Sequence, residues 1–307
     1  MARNRPLKVG VQLPEVERVV PWPELRGMAV RAEELGFDSL WVGDHLLYRY
    51  PDGQSRAPWE AWSTLAALAA VTRRVELGPL VASTSFHNPA MLAKKAATID
   101  EISGGRLVLG LGAGWNETEY LAYGFPFDQR VGRFEEAFTI IRTLLREGAI
   151  DFDGRYYQAR DCELLPRPTR PGGPPLMIGS TGERMLRISL PHVDSWNAWY
   201  SSFGNDVEQL PALLRQVDEI CLEVGRDPTE VQRTVAVLVR LAGGRGRPTV
   251  YDKGSPFEPL QGTPDQLADV LRAYAQAGIG HVQLVLDPIT VDSIEALAPT
   301  LELLDRR

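Results

Sequence analysis

The stretch Leu35-Gly36-Phe37-Asp38-Ser39-Leu40-Trp41-Val42 reads as a helix end, a glycine turn and a β-strand. A glycine just past an amphipathic run is free to take the left-handed conformation that closes a helix. The same chemistry returns at Ala277-Gly278-Ile279-Gly280-His281-Val282-Gln283-Leu284. Working outward from these junctions, strands are expected at residues 7–13, 39–42, 75–81, 107–111, 176–178, 193–198, 231–241 and 282–286. Each is followed by a run with helical spacing, at 22–35, 58–71, 89–102, 133–146, 183–190, 207–224, 264–277 and 293–304. Strand–helix alternation implies parallel strands, which need crossovers. Eight such units fit a closed (β/α)8 barrel of the TIM type, forming a single domain over residues 1–307. The rival is an open, doubly wound sheet.

Three stretches exceed the eight units. Residues 115–130 follow the fourth strand, and residues 243–262 follow the seventh. Both would lie on the face where barrel enzymes keep their sites. Residues 151–175 precede the fifth strand, with a hairpin-like turn at Asp153-Gly154 and then a proline-rich run. They are expected to cover the side of the barrel. Loops of this length inside a domain are often lids or binding loops.

The net charge of -7 does not suit a nucleic-acid backbone. No apolar run is long enough to span a membrane. The apolar run near the start is too short for a signal-peptide core. Cys162 and Cys221 form no CxxC and no disulfide framework, so a reducing, cytoplasmic setting is expected. Four of the 33 basic residues are lysine, an arginine bias without direct chemical meaning.

The barrel hypothesis sorts residues by face. His45 and His87 follow strands and face the functional side, whereas His192 and His281 precede strands and serve structure. No HExxH, no His/Cys cluster, no GxSxG elbow and no Walker A loop occur, so neither a metal site nor a hydrolase triad is expected. Gly110-Leu111-Gly112-Ala113-Gly114 lacks the spacing of a dinucleotide fingerprint and reads better as close backbone approach to a flat ligand, or as a turn. Gly179-Ser180-Thr181-Gly182-Glu183-Arg184 follows a strand and opens a helix. Backbone N–H groups, two hydroxyls and an arginine there suit a phosphate, or else only an N-cap. Trp41, Trp59, Trp62, Trp115, Trp196 and Trp199 gather near the same face. With Asn197 as an amide contact, they suit the walls of a planar cofactor, or plain core packing.

Trp41-Val42-Gly43-Asp44-His45, the run from Ser103-Gly104-Gly105-Arg106-Leu107 through Gly112-Ala113-Gly114-Trp115-Asn116-Glu117, and the 179–184 turn together resemble the luciferase-like monooxygenase superfamily. Within it the chain looks most like oxidoreductases that use the deazaflavin coenzyme F-420. The resemblance runs from about Leu7 to Leu304 and implies a barrel that binds a flavin or deazaflavin across its C-terminal face. It maps a non-prolyl cis peptide onto Leu80 and Val81, behind the ring. It maps the phosphate site onto Gly179, Ser180, Thr181, Gly182, Glu183 and Arg184. The ring pocket would be lined by Gln12, Asp44, His45, Gly112, Gly114 and Asn116, with Trp196 and Asn197 nearby. One departure stands out. The sugar-phosphate dehydrogenases of the superfamily place a glutamate directly after the glycine turn, where this chain has Trp115. Glu117 could replace it only if the local turn redirects its side chain.

The reaction these residues suggest is hydride transfer between F-420 and a small organic substrate. His45 would be the acid/base, because imidazole titrates near working pH, with Asp44 orienting it. An FMN-dependent monooxygenase and a non-catalytic, ring-binding barrel are the alternatives. The resemblance also implies a homodimer.

Overall fold

The computed structural model describes residues 5–246 and 257–306. The opening junction is built as its sequence suggests. Helix α1 (Trp22–Leu35) starts with Pro23 in its first turn and ends at Gly36, whose φ is 99°. Its buried side chains, Leu25, Met28, Ala29 and Ala32, fall on one helical face. Burying each of the two larger ones is worth roughly 1.5–3 kcal/mol. Gly278 repeats the left-handed turn, with φ 93°.

The barrel strands are β1 (Lys8–Gln12), β2 (Ser39–Val42), β3 in two pieces (Glu76–Pro79 and Ala82–Ser83) and β4 (Leu109–Gly112). They continue with β5 (Leu176–Gly179), β6 (Ser195–Ala198), β7 (Gln232–Arg240) and β8 (His281–Asp287). All pairings among them are parallel. The sheet runs from the first piece of β3 through β2, β1, β8, β7, β6, β5 and β4 to the second piece of β3. Both edges therefore belong to one strand. A bridge between Leu77 and Leu107 links the first piece of β3 to the segment leading into β4 across the gap, with Val108 N donating to Leu77 O at 2.9 Å. The sheet is a barrel of eight staves, and the open-sheet alternative is excluded.

The outer helices are α1, α2 (Ala61–Val71), α3 (Pro89–Ser103), α4 (Glu117–Tyr123), α5 (Arg130–Arg146), α6 (Glu183–Ser189) and α7 (Leu210–Glu223). The chain closes with α8 (Pro264–Gln276), α9 (Val291–Ala296) and α10 (Ala298–Asp305). Their starts follow from local chemistry. Asn88 caps α3 by accepting from Met91 N, and Thr263 with Gln266 forms a capping box on α8. The helix expected at 293–304 is two helices, because Pro299 supplies no N–H and begins a new one.

The long insertions have their own structure. Residues 115–130 contain α4. The stretch before β5 holds an antiparallel hairpin, Ala149–Asp153 with Gln158–Glu163. The Glu136 carboxylate of α5 pins its turn by accepting from the N–H groups of Arg155, Tyr156 and Tyr157, at 2.8, 2.8 and 3.0 Å. Of the third insertion, residues 247–256 lie outside the described residues. Its end returns along β7, where Leu260 bridges Val239.

At the bottom of the barrel Gly10 has no side chain, and a Cβ there would meet Ser39 Oγ at 2.0 Å. Ser39 Oγ accepts from Trp41 Nε1 at 2.7 Å and lies 2.7 Å from His281 Nε2. Burial, helped by Lys8, pushes the His281 pKa down to about 3. His281 is thus a neutral core residue on the face expected to serve structure. His192 is exposed on that same side.

Candidate active site

A cavity of about 620 Å3 opens at the C-terminal ends of the strands. That is within the range of about 300–1,000 Å3 typical of small-molecule sites. Its floor is where β3 breaks. The Leu80–Val81 peptide bond is cis, and both residues line the cavity. Val81 packs onto the glycines of the next two strands. A Cβ on Gly112 would meet Val81 Cγ2 at 2.8 Å, and one on Gly179 would meet Val81 Cγ1 at 2.8 Å. Glycine at these two strand ends makes room for the Val81 side chain, which with Leu80 lines the floor.

One wall carries the titratable groups. His45 follows β2 through Gly43, where a Cβ would meet the Glu15 carboxyl at 2.7 Å. His45 Nδ1 lies 2.8 Å from Glu119 Oε1. Its Nε2 lies 3.7 Å from Glu15 Oε1. The other Glu119 oxygen accepts from Leu46 N at 2.8 Å and Leu47 N at 3.3 Å, so this carboxyl also fixes the loop that carries His45. Glu15 is fixed in turn by Tyr48 Oη at 2.7 Å and Gln12 Nε2 at 2.9 Å. Burial opposes the imidazolium of His45. The Glu119 hydrogen bond and the charges of Glu15, Glu119 and Asp44 outweigh it, and the His45 pKa is raised. Asp44 accepts from Ser83 N at 3.0 Å and sits 3.0 Å from His87 Nε2.

Aromatic rings stand above this wall. Trp115 lies edge-on to His45, with centroids 5.5 Å apart, and Tyr48 lies 4.7 Å from the imidazole. Trp199 and Tyr200 line the opposite side. At the rim sit Ser180, Thr181 and Arg130. The Arg130 guanidinium donates to Gly114 O at 3.0 Å and stacks 4.0 Å over Phe127. Among the described residues it is the only lysine or arginine lining the cavity.

Of the residues expected from sequence, Asp44, His45, Leu80, Val81, Gly112, Gly114, Gly179, Ser180, Thr181, Gly182 and Asn197 converge on this cavity. Others stand apart from it. Arg184 points outward, 65% exposed, and pairs with Glu135. Glu183 pairs with Arg187 on the surface. Glu117 occupies the first turn of α4 and does not line the cavity. Trp196 is fully buried, and its Nε1 supports the turn from behind by donating to Ser180 O at 2.7 Å. Asn116 ties the His45 loop by donating to Leu47 O at 2.9 Å. Gln12 acts through Glu15. Helix α6 has only seven residues, and the hydroxyls of Ser180 and Thr181 and the Arg130 guanidinium line the cavity at this end. Trp41 and Trp62 are core residues.

Sequence reasoning missed Glu15, Tyr48, Glu119 and Arg130. Glu15 had a signal, since it follows β1 on the functional face. Glu119 and Arg130 had only their place in the 115–130 insertion on that face, because each depends on how the insertion folds back.

Comparison with known proteins gives a consistent result. Residues 7–245 match the family described as luciferase-like monooxygenase. The F420-dependent glucose-6-phosphate dehydrogenase of Kineococcus radiotolerans is 32% identical over 321 residues, covering 91% of this chain and 91% of that protein. The protein of the same name from Amycolatopsis mediterranei is 39% identical over 171 residues, and the match spans only 50% of its length. Among solved structures, an F420-dependent secondary alcohol dehydrogenase in complex with an F420-acetone adduct superimposes with a TM-score of 0.73. It is 21% identical and covers 95% of this chain and 99% of that one, a likeness of fold.

Proposed function

The chain belongs to the luciferase-like monooxygenase family, and on that premise we propose that it is an oxidoreductase exchanging a hydride between coenzyme F-420 and a small organic substrate. The observation that carries the reading is the His45–Glu119 pair set beside a floor of glycine strand ends and the Leu80–Val81 peptide. The names of the relatives support the choice of cofactor.

The residues fit such a group. The floor of Leu80 and Val81 over glycine strand ends would accept a planar ring, and Asn197 and Asp44 offer polar contacts at its edge. Ser180, Thr181 and Arg130 would hold the phosphate and anionic tail. When bound, the deazaflavin supplies the hydride acceptor or donor. The chain supplies the rest. Glu119 fixes the imidazole through Nδ1 and leaves Nε2 to give or take a proton at the substrate oxygen. The Glu119 hydrogen bond and the nearby carboxyl groups raise the His45 pKa and so favour the protonated imidazole, the form that donates in carbonyl reduction. Trp115 and Tyr48 pack their rings against this imidazole.

The working unit in this reading is one barrel domain over residues 1–307, a homodimer in the cytoplasm. One apolar core running from Leu7 to Leu304 supports the single domain, and two free cysteines suit a reducing compartment. No helix among the described residues is long and apolar enough to cross a membrane. A monomer by light scattering would remove the dimer. The functional test is anaerobic. Protein with oxidised F-420 should bleach the cofactor's visible absorbance when given a suitable alcohol, and reduced F-420 should recover it with a carbonyl. Oxygen consumption with reduced FMN in place of these changes would replace the reading.

A further inference from the structure

Behind Asp44 stands a chain of groups for which the reaction above has no use. Asp44 lines the cavity and is 4% exposed. Both of its side-chain contacts fall on one oxygen. Oδ2 accepts from Ser83 N at 3.0 Å and lies 3.0 Å from His87 Nε2. Oδ1 has no such contact among the described residues and is left to meet what the cavity holds. His87 does not line the cavity and reaches it through Asp44. The 3-10 turn Thr84–Phe86 and the N-cap of α3, Asn88, fix its backbone on either side, with His87 N donating to Thr84 O at 3.2 Å. Trp62, in the first turn of α2, donates from Nε1 to the same His87 Nε2 at 3.1 Å. The two rings cross at 81°, with centroids 5.7 Å apart.

The ends of this chain make opposite demands on its middle. An indole N–H can only donate, and an ionised carboxyl can only accept. The imidazole nitrogen between them answers Trp62 with a lone pair and Asp44 with a proton, and it holds only one of these at a time. The Trp62 contact therefore works against the Asp44 contact. A donated hydrogen bond offsets part of a carboxylate's charge, so this balance sets how much negative charge Asp44 shows the cavity. Hydride transfer makes that charge matter. A hydride brings one proton and two electrons, so a ring that takes it from a substrate C–H bond becomes one unit more negative. A bare carboxylate nearby disfavours that form relative to the oxidised one. A carboxylate that accepts from His87 disfavours it less.

We propose that His87 and Trp62 are positioning residues that act through Asp44 to set the balance between reduced and oxidised cofactor in the site, His87 favouring the reduced form and Trp62 the oxidised. The inference rests on the deazaflavin reading and deepens it. The opposite signs separate it from a packing role, in which loss of either residue would loosen Asp44 and weaken both forms alike.

The test reads affinity rather than turnover. The full chain is titrated anaerobically with oxidised F-420 and with F-420 reduced beforehand by borohydride, and the two dissociation constants are compared as a ratio. His87→Phe should weaken the reduced form about tenfold relative to the oxidised, which lowers the potential of the bound two-electron couple by about 30 mV. His87→Gln, whose amide still donates, should stay within about threefold of wild type. Trp62→Phe should move the ratio about two- to threefold the other way. In an Asp44→Asn background, His87→Phe should leave the ratio unchanged. A ratio unmoved by His87→Phe overturns the proposal. So does a shift of the same sign in Trp62→Phe, or a His87→Phe effect that survives Asp44→Asn. If His87→Phe fails to fold by circular dichroism, His87→Leu takes its place beside Trp62→Phe. Wild-type protein that binds neither form removes the cofactor reading and this inference together, whereas binding with an unmoved ratio removes this inference alone.

Discussion

His45 lies between two carboxyl groups, and that placement decides how the site should respond to mutation and pH. His45→Ala removes the proton donor and should lower kcat/KM by about 100-fold or more, with F-420 affinity little changed. A loss within about threefold in steady-state kinetics would end the catalytic assignment. Glu119→Gln removes the largest influence raising the His45 pKa. In carbonyl reduction the imidazolium is the active form, so the high-pH fall in kcat should move to lower pH in this variant. An unmoved limb would mean that another group titrates. The same shift acts on stability. A folded pKa above the unfolded value means that the pair contributes in full below about pH 6.5. That contribution is lost as pH rises through the raised folded pKa. Asp44 and His45 were legible because they follow a strand on the functional face. Glu119, 74 residues along the chain from His45, acquires its role only through the fold of α4.

At the scale of elements, the floor depends on strand ends that have no side chains. Gly179→Ala places a Cβ 2.8 Å from Val81 Cγ1. It should cost about 1–3 kcal/mol in denaturant unfolding, as overpacking does, and should weaken F-420 binding. A variant as stable as wild type would show that β3 yields freely there. The rim gives a paired expectation. Arg130→Ala should weaken F-420 binding about tenfold, whereas Arg184→Ala, whose side chain pairs with Glu135 outside the cavity, should stay within twofold. The reverse ranking would restore the sequence-based phosphate assignment. The bounds of α1 were readable from Pro23 and Gly36. The placing of Arg130 at the cavity and of Arg184 outside it was not, because it depends on which way side chains leave the starts of α5 and α6.

For the whole molecule, the two ends of the barrel titrate in opposite senses. His281, buried beneath the site, has a folded pKa of about 3. Its stabilising contribution is therefore present above about pH 6.5 and lost as pH falls through 3, to a total of about 5 kcal/mol. His281→Gln should flatten the pH dependence of unfolding free energy across that window. An unchanged slope would contradict the neutral, buried assignment. The eight-unit architecture was legible because strand and helix signals alternate with glycine turns between them. Closure was less so, since both sheet edges belong to β3 and the break at Leu80–Val81 leaves no pattern in residue types alone.

The central claim is that this cavity holds a deazaflavin. It is tested most directly by titrating the apo-protein with oxidised F-420 and, separately, with FMN, while following tryptophan fluorescence. Trp115 and Trp199 line the cavity and should report occupancy. The expected result is saturable quenching by F-420 at one equivalent per chain, with FMN at least tenfold weaker. Preference for FMN, or quenching by neither, would contradict the account.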